Sequence, residues 1–250
     1  MAGHSKWANI KFKKMGQDAK RGKLFTKCIR EISVAARQGG GMDPQLNPRL
    51  RRAVDKALSV NMTRDVIDRA VKRGFGGQEG QDIEEVRYEG YGPGGVALII
   101  DCMTNNRKRT VADVRHLLVK HGGNLGTDGS VAYLFSEKGQ IFFAPGADEQ
   151  KITEVALEAG AEDLQVEMDG SIEVLTRFED FYQVKQAMET QGLKIEGAEI
   201  TLIATTNVII DDALIAEKWM KLTNGLEELD DVQTVHSNAQ IDASIAMDVD

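Results

Sequence analysis

The chain has 250 residues, of which 42% are hydrophobic and 28% charged, and its formal net charge is −8. This length is sufficient for two or three domains with cores of their own, and the sequence has neither an apolar run of roughly 18 residues nor an apolar export signal at its start, so we expect neither a membrane-spanning nor an exported protein. Cys28 and Cys102 are far apart and form no CxxC pair, so we expect two buried thiols in a reducing compartment, the cytoplasm.

Charge divides the chain into a basic and an acidic part. Residues 1–80 hold 18 lysines and arginines against 7 acidic residues, whereas the rest holds 13 against 32. In the N-terminal arm, residues 1–23, Trp7 and Phe12 lie among lysines. Because cations attract phosphates and rings stack on bases, the arm is predicted to bind nucleic acid, with a solvated basic tail as the alternative. The predicted contacts are Lys6, Trp7, Lys11, Phe12, Lys13, Lys14, Lys20, Arg21 and Lys23, with His4 as a secondary candidate.

Three amphipathic helices are predicted to form a bundle. The first covers residues 19–37, where apolar residues recur at three- and four-residue steps before three glycines. Asn47 followed by Pro48 predicts the start of the second helix, and Thr63 that of a third helix, which ends at Gly74. A basic helix face is usually only solvated, but it is also a candidate contact surface for nucleic acid. The candidates at the start of the second helix are Arg49, Arg51 and Arg52.

The acidic part is predicted to be α+β. After the glycine-rich stretch 74–80, strand patterns occur at 86–89, 96–102 and 130–135, with a helical pattern at 111–118. A later helix and strand, at 212–224 and 232–236, are expected to complete this layer. The predicted fold is α+β: an N-terminal three-helix bundle plus two ferredoxin-like α+β domains, one inserted into the other. The predicted parts are the arm and bundle (1–80), a discontinuous α+β domain (81–138 plus 206–240), an inserted ferredoxin-like domain (139–205) and a frayed tail (241–250).

The inserted domain has the clearest local signals. Its patterns follow the order strand, helix, strand, strand, helix, strand, which is the ferredoxin-like order. Asp169 and Gly170 predict a two-residue hairpin turn between the middle strands. Thr176 and Glu179 have capping-box spacing and predict the start of the second helix.

Two glycine-rich loops, 90–95 and 122–129, do not have the patterns of nucleotide-binding loops, so tight turns explain them most economically. Their length and composition leave a partner-binding surface as the alternative. The candidate residues of that surface are Tyr91, Asn124 and Asp128.

No catalytic residues are predicted. His116, His121 and His236 lack a nearby nucleophile motif, and the acidic run 227–231 is interpreted as a solvated helix end. No histidine or cysteine has a partner at metal-ligand spacing. We therefore expect no metal, no cofactor and no small-molecule substrate.

Five stretches of the chain resemble the YebC/PmpR family, and the resemblance extends from Met1 to about residue 239. They are AGHSKW at 2–7, DAKRGK at 18–23, NPRL at 47–50, YEGYGPGG at 88–95 and GGNLGTDGSVA at 122–132. The chain departs from the family at Asn105, where we expect aspartate in the family. The resemblance implies a cytoplasmic, three-domain, non-enzymatic protein, in bacteria a DNA-binding regulator of transcription. A mitochondrial relative is a translational activator.

We therefore expect a nucleic-acid-binding regulator whose basic part contacts a polyanion while the acidic domains orient it or recruit another protein. DNA is the leading expectation for the partner because of the resemblance. A ribosome-associated translation factor that binds ribosomal RNA is the alternative, since charge does not distinguish the two polyanions and an acidic body would be repelled by extended contact with duplex.

Overall fold

A computed structural model describes the backbone of residues 6–76, 83–167 and 169–242, and the side chains of these ranges from residue 22 onward. Its helices are α1 (Lys6–Gln38), α2 (Pro48–Ser59), α3 (Arg64–Gly76), α4 (Arg107–Lys120), α5 (Glu149–Ala159), α6 (Phe181–Thr190) and α7 (Ala213–Glu228). Its strands are β1 (Glu84–Tyr91), β2 (Ala97–Thr104), β3 (Asn124–Leu125), β4 (Phe135–Phe143), β5 (Asp163–Val166), β6 (Ile172–Arg177), β7 (Gly197–Ala204), β8 (Val208–Ile210), β9 (Val232–Ser237) and β10 (Ala239–Ile241). The predicted α+β class is confirmed.

Helices α1, α2 and α3 pack around one apolar core, to which α1 contributes from Leu24 onward among the described side chains. Buried Asn47 caps α2 as predicted, because its Oδ1 accepts a hydrogen bond from the Leu50 N–H at 2.9 Å. Its Nδ2 donates to the Ala35 carbonyl oxygen at 2.9 Å and thereby joins α1 to α2. A single residue thus fixes both the start of α2 and its position on α1.

Helix α1 differs from its predicted bounds. It begins at Lys6, not near residue 19, and is 33 residues long. At about 1.5 Å per residue it extends over roughly 50 Å. Lysine, alanine, glutamine and methionine are good helix formers, so this segment forms a helix although it lacks the apolar periodicity on which the prediction depended. Residues 6–23 of the predicted arm and the first bundle helix are therefore one continuous helix.

The first α+β layer is a four-stranded antiparallel sheet in the order β3-β1-β2-β9. Helices α4 and α7 cover one face, and their apolar residues share a core with β1, β2 and β9. As expected, α7 and β9 complete this layer, since β9 pairs with β2. Strands β8 and β10 form a separate parallel pair. The two middle strands of this sheet, β1 and β2, are consecutive in the chain. The strand order of this sheet therefore differs from that of the inserted unit, whose middle strands are β6 and β4.

The inserted unit has the sheet order β5-β6-β4-β7 with all neighbours antiparallel, which is the ferredoxin-like arrangement. The strand predicted at 130–135 is wrong, since Ala132–Leu134 is a 3₁₀ turn and β4 starts at Phe135. Strand β4 pairs with β7 from Phe135 onward, so the predicted domain boundary between residues 138 and 139 falls inside a strand.

Two local predictions in the inserted unit are also wrong. The Glu167 N–H donates to the Ser171 carbonyl oxygen at 2.9 Å, so the hairpin loop has three residues and not two. Gly170, at φ 80°, has the left-handed conformation that such loops require. No capping box forms, because Thr176 is a buried residue of β6 and α6 begins only at Phe181.

The two α+β units pack through the face of the first sheet that its helices leave uncovered. Buried Ala97 and Ile99 on that face contact Phe135, Leu202 and Ala204 of the inserted unit. This apolar contact fixes the two acidic units against each other.

Candidate nucleic-acid interface

The predicted arm residues lie on α1. Of the 33 residues of this helix, ten are lysine or arginine and two are acidic, and Asp18 is the sole acid from Lys6 to Lys23. The side chains of Lys6, Trp7, Lys11, Phe12, Lys13, Lys14, Lys20 and Arg21 lie outside the described residues, and so does the whole of His4. Their contacts with nucleic acid stay predictions, on a backbone that is helical from Lys6 onward.

Three cations on one face of α1, Lys23, Lys27 and Arg30, hold it against the C-terminal end of α7. The Lys23 ammonium donates to the Glu228 carbonyl oxygen at 2.6 Å and to its carboxylate at 2.8 Å. Lys27 donates to the Glu227 carbonyl oxygen at 2.9 Å. The last carbonyls of a helix lack partners within the helix and form the negative end of its dipole. Cations at this position therefore satisfy both the hydrogen-bonding and the electrostatic requirement.

Arg30 extends the contact into the first α+β layer. Its Nη1 lies 2.8 Å from the Met103 carbonyl oxygen and 2.9 Å from that of Asp230, and 3.4 Å from the Asp231 carboxylate. Residues 227–231 are called the α7 docking site below. This site holds the guanidinium by backbone oxygens as well as by charge, which fixes the direction of α1.

Asp231 is the buried centre of the α7 docking site, with 8% of its surface exposed. Its Oδ2 accepts hydrogen bonds from Arg109 at 2.6 Å, Thr110 at 2.8 Å and Thr104 at 3.0 Å. Burial by itself raises the pKa of this carboxyl, but these three hydrogen bonds and the charge of Arg109 outweigh it and lower the pKa below its ordinary value. Asp231 is therefore held as a carboxylate.

The interpretation of 227–231 as a merely solvated helix end is wrong. Sequence reasoning missed Lys27, Arg30 and Arg109 as partners of this acidic run. The spacing of 23, 27 and 30 shows that these residues share one helix face, but no local signal identifies their partner. Burial lowers the pKa of the Lys27 ammonium, nearby Glu227 opposes this effect, and Lys23 adds to it.

Arg49 at the start of α2 binds the first α+β layer. Its guanidinium forms two hydrogen bonds with the Glu85 carboxylate, at 2.7 Å and 2.9 Å, and a third with Glu31 at 3.1 Å. Such two-pronged geometry is the strongest form of an arginine–carboxylate pair. In this structure Arg49 therefore joins the bundle to β1.

Arg51 and Arg52 bind the inserted unit. The Arg51 guanidinium lies 4.5 Å from the centre of the Tyr182 ring, and that of Arg52 lies 5.0 Å from the centre of the Phe178 ring. Arg52 also pairs with Glu137 at 3.2 Å. The bundle is thus held by both acidic units, and nucleic acid would have to compete with these contacts or use the exposed parts of the same side chains. The roles predicted for these arginines in nucleic-acid binding stay predictions.

A buried carboxylate organises the two glycine-rich loops. Glu89 accepts hydrogen bonds from the N–H groups of Gly129, Val131 and Ala132 at 2.7–2.8 Å. Burial raises the pKa of Glu89, but these hydrogen bonds outweigh the effect and lower it. A Cβ at Gly123 would lie 2.3 Å from the Tyr91 carbonyl oxygen, so the backbones approach too closely for a side chain.

Tight backbone packing thus explains the glycines. Of the predicted partner-surface residues, Asn124 and Asp128 are exposed, while the hydroxyl of half-buried Tyr91 donates to the Ser130 carbonyl oxygen at 3.1 Å. The three side chains therefore do not form one exposed group, and their role in partner binding stays a prediction.

The two cysteines and His236 are explained by packing. Both cysteines are buried as predicted, and burial raises the pKa of their thiols, that of Cys102 to about 12. His236 lies 3.5 Å from the Asp101 carboxylate and 3.4 Å from the Thr201 hydroxyl, between the two α+β units. Over the described ranges, no group of three or more histidine, cysteine or acidic residues could hold a metal ion. Within the same ranges, no helix is long and apolar enough to cross a bilayer.

Two family models match the chain. Residues 5–77 match the TACO1/YebC protein N-terminal domain, and residues 83–239 match the TACO1/YebC second and third domain. Similar curated proteins include a probable transcriptional regulatory protein of Pseudomonas fluorescens, 62% identical over 98% of each chain. They also include the transcriptional regulatory protein PmpR of Pseudomonas aeruginosa, 59% identical over 96% of each chain.

Among solved structures, the chain is similar to the crystal structure of a conserved hypothetical protein from Aquifex aeolicus. The two share 49% sequence identity at a TM-score of 0.78, over 90% of this chain and 92% of the other. The architecture described above therefore has a counterpart in an experimental structure.

Proposed function

We propose that this chain, which belongs to the TACO1/YebC family, also called YebC/PmpR, is a non-enzymatic cytoplasmic regulator of transcription that binds DNA through the basic N-terminal half of α1. The names of its bacterial relatives support a regulatory role. The charge of α1 and its attachment to the acidic units support the more specific proposal that the partner is DNA and that α1 contacts it.

The observation that carries the proposal is the continuity of α1. Residues 23–30 of this helix are held at the α7 docking site, and the helix extends without interruption to Lys6. A rigid helix that is fixed at one segment is fixed in direction over its whole length. The acidic units therefore orient the cationic segment, although their own net charge repels a polyanion.

The arrangement favours contact with phosphates over direct reading of bases. Seven cations and one acid lie between Lys6 and Lys23. Phosphate contacts position a protein on a duplex, whereas sequence is read by side chains at base edges or by the shape of the duplex. We therefore expect strong dependence of binding on salt and a modest preference for sequence.

The test uses full-length protein and a triple variant, Lys11→Glu, Lys13→Glu and Lys14→Glu. The matched control carries Lys151→Glu, Lys194→Glu and Lys218→Glu, which change the net charge equally but lie on the acidic units. Both are measured against a duplex selected from a random pool, an unselected duplex and bacterial ribosomes, at several salt concentrations. The arm variant should bind DNA more weakly, and its log–log salt slope should fall by about 0.9 for each phosphate that the arm no longer neutralises, while the control stays near wild type.

The outcomes separate the candidate partners. Preference for the selected duplex over the unselected one, abolished in the arm variant alone, supports regulation of transcription. If ribosomes compete decisively against both duplexes and the arm variant no longer binds them, the partner is ribosomal RNA and the protein is a translation factor. If the arm variant and the control bind equally, α1 is not the contact.

A further inference from the structure

The last turns of α3 carry two cations that the described parts of the acidic units do not bind. Lys23, Lys27, Arg30 and the three arginines of α2 all contact the acidic units, as described above. Lys72 and Arg73, in the last turns of α3, are exposed and pair with no carboxylate among the described residues. No acidic residue follows Asp68 in this helix. The C-terminal end of α3 is therefore one part of the described bundle whose positive charge is available.

An exposed ring lies among these cations. Phe75 has 56% of its surface exposed although it is a large apolar side chain. It follows Lys72 by three residues, so the two lie side by side on one helix face, whereas Arg73 lies on the other side of Lys72, about 100° further round the helix. Scattered exposed apolar residues are ordinary on protein surfaces. A ring beside one unpaired cation, with a second cation on the same helix end, can bind an unpaired base and its neighbouring phosphates.

This end of α3 is held rigidly on α1. A Cβ on Gly74 would lie 2.2 Å from the Ser33 carbonyl oxygen, so the two helix backbones are in direct contact there. One turn earlier, the Ser33 hydroxyl donates to the Ala70 carbonyl oxygen at 3.0 Å. The residues on either side of Gly74 consequently project from a fixed backbone, and ordering them on binding costs little conformational entropy.

We infer that the C-terminal end of α3 is a binding site for single-stranded nucleic acid. Phe75 stacks on an unpaired base, Lys72 contacts the phosphate next to that base, and Arg73, on the far side of Lys72, contacts the following phosphate. This site is separate from the α1 contact of the proposed function, and the inference rests on that function only in sharing nucleic acid as the partner. The two basic residues also lie at the negative end of the α3 dipole, which by itself predicts a contribution to helix stability and none to binding.

The experiment measures binding of labelled 12-nucleotide oligo(dT), oligo(U) and a 12-base-pair DNA duplex to full-length variants by fluorescence anisotropy. Phe75→Ala should weaken binding to the single strands by about tenfold and change duplex binding by less than about twofold, because a paired base offers no free face. Phe75→Tyr should restore single-strand binding. The ratio between oligo(U) and oligo(dT) tells whether the site prefers RNA or DNA.

The double variant Lys72→Gln/Arg73→Gln tests the cations. It should reduce the salt slope for the single strands by about 1.4, at about 0.7 for each phosphate contact. Arg69→Gln is the matched control, because Arg69 lies one turn earlier on α3 and is paired with Asp65 at 2.7 Å. It should leave affinity and slope unchanged. Circular dichroism at each salt concentration checks that the helix content of the variants equals that of wild type.

The inference and the proposed function fail in different ways. Equal weakening of single-strand and duplex binding in Phe75→Ala, or no weakening of either, overturns the inference whatever the α1 variant does. Weaker single-strand binding in Phe75→Ala together with unchanged duplex binding in the α1 variant supports the inference and overturns the proposed function. If wild-type protein binds none of the three probes, the inference is wrong.

Discussion

The two sides of the helical bundle place the same kind of residue in different surroundings. On the docked side, which α1 and α2 form, cations bind backbone oxygens, carboxylates and rings of the acidic units. On the open side, which is the C-terminal end of α3, Lys72 and Arg73 are exposed and have no carboxylate partner among the described residues. Net charge in the sequence therefore does not tell which cations are available to a polyanion. The availability of each cation depends on its partners in the tertiary structure.

The difference also explains how a chain with an acidic majority can offer a basic surface. Contacts at the α7 docking site and around Arg49 cancel acidic charge of the two α+β units where the bundle meets them. Interactions between exposed charges fall off within about 10 Å at moderate salt. The remaining acidic groups therefore repel a polyanion mainly where they lie within about 10 Å of it.

The largest expected effect is on the docked side, at Asp231. Asp231→Asn removes the charge that Arg30 and Arg109 face, and its amide nitrogen cannot accept the hydrogen bonds that one of the carboxylate oxygens accepts now. We expect unfolding free energy to fall by about 3 kcal/mol at neutral pH. Urea denaturation measures it, with exposed Asp113→Asn from the same cleft as control. A decrease no larger than that of the control would mean that Asp231 does not hold the docked side.

The same residue predicts a dependence on pH. The folded pKa of Asp231 lies below its ordinary value, so its carboxylate stabilises the fold at any pH above the unfolded pKa, and this contribution disappears as pH falls through the folded pKa. The gap in stability between wild type and Asp231→Asn should therefore be constant from pH 7 to about pH 5 and should narrow below about pH 4. A gap that stays constant down to the acid transition would contradict this assignment.

Much of the fold could be predicted from the sequence because its signals are local. The Asn47-Pro48 start of α2 and the strand and helix order of the inserted unit depend on neighbouring residues, and both are confirmed. The start of α1 was missed because apolar periodicity marks burial, and the segment before Leu24 is helical without that pattern. The register of the 167–171 hairpin was missed because one added loop residue changes no composition.

The site is less predictable because it depends on contacts between residues far apart in sequence. Lys23 and Glu228 are separated by 205 positions, and Arg49 and Glu85 by 36. Nothing in either local sequence distinguishes a cation that will meet a carboxylate from one that will meet a phosphate. Charge density therefore locates the basic part of the chain but cannot assign roles to its individual residues.

On the open side, Gly74→Ala tests whether α3 needs its close contact with α1. The new methyl group would lie 2.2 Å from the Ser33 carbonyl oxygen, so the helices must move apart. We expect a decrease of about 2 kcal/mol in unfolding free energy, measured by urea denaturation. Gly76→Ala is the control, because a Cβ at Gly76 meets no atom within 4 Å among the described residues. If both variants are equally stable, the α3 end is not held as described and the rigidity of Phe75 has no basis.

The smallest expected effect on stability is at the α2 arginines. It tests whether the docked side holds these residues by charge or by the geometry of the guanidinium. Arg49→Lys keeps the charge but removes the fork that binds Glu85 with two hydrogen bonds while also reaching Glu31. Glu85 is partly exposed, with 43% of its side chain accessible, so we expect unfolding free energy to fall by only about 0.5–1 kcal/mol. Denaturation at low and high salt measures it against Arg52→Lys, whose contact with Glu137 is a single one at 3.2 Å.

Salt decides how this small effect is interpreted. Screening should reduce the contribution of charge at Arg49 and leave that of geometry, so the difference between the arginine and lysine forms should persist at high salt, whereas any difference at Arg52 should largely vanish. If the difference between arginine and lysine at position 49 persists at high salt, the docked side recognises the shape of the guanidinium. A phosphate would then compete poorly for Arg49, because two carboxylates hold its side chain. If both differences vanish together, the α2 arginines are held by charge alone, and a polyanion could displace the acidic units from them as it occupies the open side.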